Sequence, residues 1–380
     1  MPAALSKILP FAWPVSFLSL SKLGSPIRTK SFSIRFFSAI VKSKHFCEAL
    51  VYRSHGHYED VIKLETFTLP PLGEEDIRIK MLAAPVNPAD INMLEGTYAI
   101  LPELPAIGGN EGVGKVLDVG SKVNNFTPGD WVIPVDSEFG TWRTEAVCHA
   151  ASILKISKDI PLLSAATIGV NPCTAYRMLH DFEHLKPGDT VIQNGANSAV
   201  GQAVIQIAAA MGVKTINVVR DRPNLKELVE KLNCLGAHCI VTESMLLKRE
   251  LVSIVKDLPK PRLALNCVGG QSAGYLLDYL QYGSTMVTYG GMAKKPVPVP
   301  AKAMIFKNIK IHGFWMSQWK RDNKHDISKQ EAMLSELCEL VKKGRLSAPA
   351  CTEIPFYDYK IALDATMKPY QCSKQVLCML

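Results

Sequence analysis

The sequence predicts an α/β protein, a doubly wound parallel sheet joined to a second, β-rich domain. Between residues 190 and 313, short runs rich in Val, Ile and Thr alternate with helical segments of about ten residues, the rhythm of parallel βαβ units. Before residue 162 the chain reads instead as strands punctuated by Gly and Pro turns. The length of 380 residues accommodates two domains, at about 150 residues each.

In order, strands are expected over 48–54 and 76–83, separated by the turn Pro70-Pro71-Leu72-Gly73. In the second, Ile77, Ile79 and Met81 share one face. Strands over 113–119 and 131–135 follow, joined through Thr127-Pro128-Gly129-Asp130. The texture then changes. A helix starts over 164–168, an amphipathic helix runs over 172–185, and Lys186-Pro187-Gly188-Asp189 turns the chain into a buried strand over 190–193. Helices over 201–211, 224–232, 246–255 and 272–280 alternate with strands over 215–219, 239–242, 263–266 and 284–289. A last strand spans 309–313, a long helix 328–343, and a Pro-interrupted tail is expected to return to the first domain.

Hydrophobic residues make up 47% and charged residues 21%, an ordinary globular balance that argues against disorder. No apolar run reaches eighteen residues, so no membrane span is expected. The net charge of +8 is concentrated at the start: residues 1–37 hold Lys7, Lys22, Arg28, Lys30 and Arg35 and no acid. The remaining body is nearly neutral, which argues against a nucleic-acid partner. A basic, Ser-rich, acid-free leader is the composition of a mitochondrial transit peptide, and Arg35-Phe36-Phe37-Ser38 suits cleavage after Phe37. A secretory signal fits less well, because Pro10 and Pro14 break the apolar run and the basic residues follow it. The 10 cysteines form no C-x-x-C pair and no zinc-ligand spacing, so reduced thiols and no metal are expected.

The loop Asn194-Gly195-Ala196-Asn197-Ser198-Ala199-Val200-Gly201 lies between a strand and a helix. A pyrophosphate needs backbone N–H groups, a positive helix end and small residues that let the chain approach. Gly195, Ala196, Ala199 and Gly201 are the small residues, although the full G-x-G-x-x-G is absent and Ala199 stands where a Gly is common. The next strand ends in Arg220-Asp221-Arg222-Pro223, where an NAD site would carry a carboxylate for the ribose hydroxyl. Two guanidinium groups suit a 2′-phosphate, so NADPH is the expected cofactor. At this point Asp221 binding the ribose hydroxyl, or both arginines lying in solvent, remain open.

Val86-Asn87-Pro88-Ala89-Asp90-Ile91-Asn92, Gly108-Gly109-Asn110-Glu111-Gly112-Val113-Gly114, Pro128-Gly129-Asp130-Trp131-Val132 and Lys186-Pro187-Gly188-Asp189 resemble the medium-chain dehydrogenase/reductase superfamily. Within it, Asn197-Ser198 before Val200-Gly201, Arg220-Asp221-Arg222-Pro223, Tyr289-Gly290-Gly291-Met292 and Phe314-Trp315-Met316-Ser317-Gln318-Trp319 resemble the mitochondrial trans-2-enoyl-CoA reductases. The resemblance implies a GroES-like catalytic domain over 45–165 and 325–380 and a Rossmann NADP-binding domain over 166–324. It implies reduction of trans-2-enoyl thioesters of CoA or acyl carrier protein by NADPH, in mitochondrial fatty acid synthesis, by a homodimer in the matrix. Asn110 replaces the histidine of the superfamily's zinc alcohol dehydrogenases, so the resemblance is to the zinc-free, quinone-oxidoreductase-like branch.

Hydride addition to Cβ of an enoyl thioester places charge on the thioester oxygen, and Cα then needs a proton. Tyr98 matches the family's proton donor. By the same resemblance Asn171, Asn197, Ser198, Ala199, Val200, Arg220, Asp221, Arg222, Tyr289, Gly290, Gly291, Met292, Phe314, Trp315, Met316 and Lys374 touch the cofactor. Trp315 could equally line the acyl pocket or simply pack. The basic stretch Lys320-Arg321-Asp322-Asn323-Lys324 reads as a solvated loop. Two other readings stand: an NADPH:quinone oxidoreductase sharing the cofactor loop, and a non-catalytic NADPH-binding protein.

Overall fold

The computed structural model describes residues 45–248, 251–368 and 373–379. The leader expected over 1–37 lies outside the described residues.

Eight strands occupy the first part of the described chain: β1 (Phe46–Tyr52), β2 (Ile62–Thr68), β3 (Asp76–Pro85), β4 (Ala106–Ile107), β5 (Val113–Val119), β6 (Trp131–Pro134), β7 (Glu145–His149) and β8 (Ile153–Ile156). The hub is β3, which runs two residues past the expected end because Ala84 and Pro85, both buried, pair with the last strand of the chain. Ile77, Ile79, Met81 and Ala83 point into the core. It pairs antiparallel with β5 and β7. β1 binds β2 and β4 in a separate antiparallel sheet.

The second part carries β9 (Thr190–Gln193), β10 (Lys214–Val219), β11 (Cys239–Thr242), β12 (Leu263–Asn266), β13 (Thr285–Thr288) and β14 (Lys310–Gly313). They form one parallel sheet in the order β11-β10-β9-β12-β13-β14. This is the doubly wound dinucleotide-binding order, which reverses between β9 and β12. Burial on both faces accounts for the apolar middles of β9, β12 and β13, whereas β14 at the end of the sheet is exposed at all four residues. Val191, Leu263, Leu265 and Val287 fill one core, and Ile192, Ala264 and Met286 fill the other. The first of these cores continues through the helices Leu162–Thr167 and Asn171–Asp181 to Ala83, Val113 and Leu154, so the parallel and antiparallel sheets share it.

The tail does return. β15 (Cys351–Pro355) pairs parallel with β16 (Lys374–Cys378), and β16 lies antiparallel against β3. The helix Ser328–Lys342 precedes them and buries Met333, Leu334, Leu337 and Cys338, one stripe at 3.6-residue spacing.

Two expected helices differ. The one placed over 172–185 stops at Asp181, because the residues beyond make tertiary contacts: the Phe182 ring packs edge-on against Phe314, and Glu183 accepts a hydrogen bond from the Thr285 hydroxyl. The one placed over 246–255 is two short helices, Glu243–Leu247 and Leu251–Ile254, the first capped by Thr242. The helix Pro88–Leu94 was not foreseen. No helix among the described residues is long and apolar enough to cross a membrane.

Candidate functional site

The carboxyl ends of β9 and β12 open the crevice where the sheet order reverses, the usual ligand position in such sheets. Its floor consists of the fully buried amides Gln193, Asn194, Asn217 and Asn266. Gln193 Nε2 donates to the Gly201 carbonyl at 3.0 Å and to Asn217 Oδ1 at 2.8 Å. Asn194 Nδ2 donates to Asn266 Oδ1 at 2.8 Å, and Asn194 Oδ1 accepts the Cys267 N–H at 2.8 Å. Buried amides with these partners hold the loop above them in one conformation.

Glycine is required at two places in that loop. Gly195 has φ +59°, and a Cβ there would lie 2.4 Å from Cys267 Sγ. A Cβ at Gly201 would lie 2.6 Å from the Ala196 carbonyl oxygen. Ala199 needs no glycine: it is the first residue of the helix Ala199–Ala210, which begins two residues before the expected start. Ser198 caps that helix, its Oγ accepting the Gly201 N–H at 3.1 Å. Small residues, a capped helix end and its first-turn N–H groups fit a pyrophosphate.

At the end of β10, Arg220 and Asp221 are exposed, while Arg222 retains only 8% exposure. Asp221 is already engaged, accepting hydrogen bonds from the Ser244 hydroxyl at 2.8 Å and the Ser244 N–H at 3.3 Å. These bonds hold its carboxyl below the usual value. A carboxylate bound in this way has less to offer a ribose hydroxyl. The two arginines are therefore the groups at this strand end suited to a phosphate, and the donor set fits NADP.

Tyr289 follows β13 and is half-buried, its hydroxyl enclosed near Cys267 and Ser198. Burial pushes its phenol well above the ordinary value, so it stays protonated. Gly290 is partly exposed, and Gly291 and Met292 are exposed. Past β14, Phe314 and Trp315 are half-buried, and Met316 is buried at the start of the helix Met316–Asp322. This helix corrects the reading of Lys320 to Lys324 as a solvated loop: Lys320 is buried and Arg321 bridges to Glu138 at 2.7 Å.

Trp315 meets Tyr98, from the loop after the helix Pro88–Leu94. The indole Nε1–H donates to the Tyr98 hydroxyl oxygen at 2.9 Å, and the rings meet edge to face at 5.8 Å. Indole is a donor only, so the phenol proton is not used in that bond. Burial raises the Tyr98 phenol above its ordinary value, the Asp90 charge adds to this, and hydrogen bonds from Trp315 and Ser317 oppose it.

Asn171 and Lys374 come together elsewhere, at a buried polar cluster. Asn87 Oδ1 accepts from Lys374 Nζ and from Asn171 Nδ2, the latter at 3.4 Å. Asn87 Nδ2 donates to Glu111 Oε2 at 2.9 Å, and Glu111 Oε1 accepts the Val170 N–H at 2.8 Å. Asp90 Oδ2 accepts the Asn87 N–H at 2.7 Å, and its Oδ1 accepts the Asn110 side chain at 2.6 Å. Burial raises Asp90 to about 6 despite these donors, and it raises Glu111 as well, against the pull of Lys374. Sequence reading passed over Asn87, Asp90 and Glu111 as marks of a superfamily. The available signal was Asn-Pro-x-Asp, a capping box around a first-turn proline. Asn110, in place of a zinc-ligand histidine, is hydrogen-bonded into this cluster and to the Glu138 N–H at 2.8 Å.

Fold and site together define a two-domain oxidoreductase of the alcohol-dehydrogenase type. The family model for the alcohol dehydrogenase GroES-like domain matches residues 73–158, and that for the zinc-binding dehydrogenases matches residues 199–335. A human protein described as mitochondrial enoyl-[acyl-carrier-protein] reductase is 56% identical over 87% of this chain and 88% of its own length. A solved complex of Etr1p with NADP and crotonyl-CoA is 33% identical, with TM-score 0.82 over 88% of this chain and 100% of that one. The mitochondrial 2-enoyl thioester reductase Etr1p/Etr2p heterodimer from Candida tropicalis is 32% identical, with TM-score 0.81 over the same shares. This chain belongs to the mitochondrial enoyl-[acyl-carrier-protein] reductase family.

Proposed function

We propose that this protein reduces the carbon–carbon double bond of trans-2-enoyl thioesters, carried on CoA or acyl carrier protein, to saturated acyl thioesters with NADPH. It is an oxidoreductase of mitochondrial fatty acid synthesis, and its compartment is the matrix. The observation that carries the reading is the Tyr98–Trp315 pair, a protonated phenol held by a donor that leaves its proton available.

When bound, NADPH supplies the hydride that adds to Cβ. The electron pair of the double bond then moves toward the thioester oxygen, and Tyr98 gives its proton to Cα. Asn197, Ser198, Ala199 and Val200 hold the pyrophosphate at the helix start. Arg220 and Arg222 hold the 2′-phosphate, beside Asp221. Tyr289, Gly290, Gly291 and Met292, with Phe314, Trp315 and Met316, line the cofactor crevice, and Asn171 and Lys374 reach it from the buried cluster.

The protein works as a homodimer. What supports this is β14, an edge strand whose four residues are all exposed, next to exposed Met304, Ile305 and Phe306.

NADPH oxidation with trans-2-hexenoyl-CoA, set against a quinone, tests the function. Turnover of the enoyl thioester with little quinone turnover is expected. Turnover of the quinone alone would make the protein a quinone reductase, and NADPH binding without turnover would make it a non-catalytic binder.

A further inference from the structure

Glu111 is 3% exposed and has no part in the chemistry above. Its two oxygens accept from two different parts of the chain: the Val170 N–H, immediately before Asn171, and the side chain of Asn87. A carboxylate has no proton to donate, so it settles how the Asn87 amide is turned. Nδ2 must face Glu111, and Oδ1 must face away. On that far side Oδ1 meets two donors, the Lys374 ammonium and the Asn171 Nδ2. The opposite rotamer would set oxygen against carboxylate and N–H against both donors, so only one orientation satisfies the cluster. With Nδ2 of Asn171 committed to Asn87, its Oδ1 is turned the other way.

We infer that Glu111 and Asn87 are positioning residues for the cofactor: Glu111 holds the Val170 corner and orients Asn87, which sets the Asn171 amide so that its oxygen is presented to bound NADPH. The inference rests on the reading that Asn171 touches the cofactor.

Glu111→Gln removes one acceptor and places a donor against Asn87 Nδ2. Its expected effect is NADPH binding weakened about tenfold, the loss of one hydrogen bond to a charged group. Affinity is read by titrating NADPH fluorescence on the purified full chain, with Tm followed alongside. The exchanged pair Asn87→Asp with Glu111→Gln restores complementarity. The introduced aspartate offers acceptors to both sides, and the introduced glutamine keeps an oxygen for Val170 while donating to the aspartate. Recovery of NADPH affinity to within about twofold of wild type is expected, well inside the tenfold loss of the single variant.

Wild-type affinity in Glu111→Gln overturns the inference, as does failure of the exchange to restore binding. A Tm that falls while affinity holds identifies Glu111 as structural only. Asn171→Ala separates the two levels. If it weakens NADPH binding and Glu111→Gln does not, the inference alone fails; if it leaves binding unchanged, the cofactor reading of Asn171 fails and takes the inference with it. Should Glu111→Gln not fold, the exchanged pair decides: folded protein with near-normal affinity supports the positioning role, and any other result overturns it.

Discussion

A loop tyrosine has no special claim to chemistry, and Tyr98 acquires one from a residue 217 positions away. The Trp315 indole fixes the phenol oxygen and cannot take its proton. Replacing Tyr98 with Phe keeps the ring and deletes the donor, so kcat for trans-2-hexenoyl-CoA should fall by roughly 10²–10⁴ while the Kd for NADPH stays at the wild-type value. A variant with full kcat would remove Tyr98 from the mechanism. The pH profile gives an independent check. Burial raises the phenol, so the protonated donor persists through neutral pH and is lost only above the ordinary value of about 10. The alkaline decline of kcat should lie above that value and shift downward in Trp315→Phe only if lost burial outweighs the lost indole hydrogen bond. Nothing local in the sequence marks Tyr98; family resemblance nominated it, because a hydroxyl and an indole so far apart in sequence meet only after both domains have folded. Asn87, Asp90 and Glu111 were overlooked for a related reason: short polar residues in turn-like motifs read as punctuation until burial shows that they are not in solvent.

At the scale of elements, β9 with its loop and helix was legible, because strand, small residues and helix follow one another within the chain. The departure from the glycine pattern also resolves there: Ala199 sits in ordinary helical backbone, whereas Gly195 and Gly201 do not tolerate a side chain. Boundaries set by tertiary contact were not legible. The helix ending at Asp181 gives up its apolar continuation to Phe182–Phe314 packing, and the strands β2, β4, β7 and β8 exist through their partners. The end of β10 carries a prediction of its own. Arg220→Ala and Arg222→Ala should each raise KM for NADPH by roughly tenfold or more, the scale of a charge-assisted phosphate contact, and change KM for NADH much less. Because Arg222 is the buried one, its replacement should also lower Tm, and by more than Arg220→Ala does. Equal effects on both cofactors would count against a 2′-phosphate site.

For the whole molecule, the open question is what covers the edge of the parallel sheet. Among the described residues β14 pairs with β13 on one side only, and its outer N–H and C=O groups form a row that a second copy can match. Ile311 on this strand is 39% exposed, and Phe306, just before it, is 77% exposed. Apolar residues beside an unpaired edge invite aggregation unless something occupies them. A two-fold axis next to β14 would join the two edge strands antiparallel, continue the sheet across both copies, and bury the Met304–Phe306 segments, a self-complementary arrangement that closes at two copies. Sedimentation at micromolar concentration should therefore give the mass of a dimer. Ile311→Glu sets like charges near the axis and should shift the population toward monomer. NADPH affinity should be retained in that variant, because Ile311 lies within β14, ahead of the crevice-lining residues that begin at Phe314, and is itself exposed. A wild-type monomer, or a dimer indifferent to Ile311→Glu, would move the interface elsewhere.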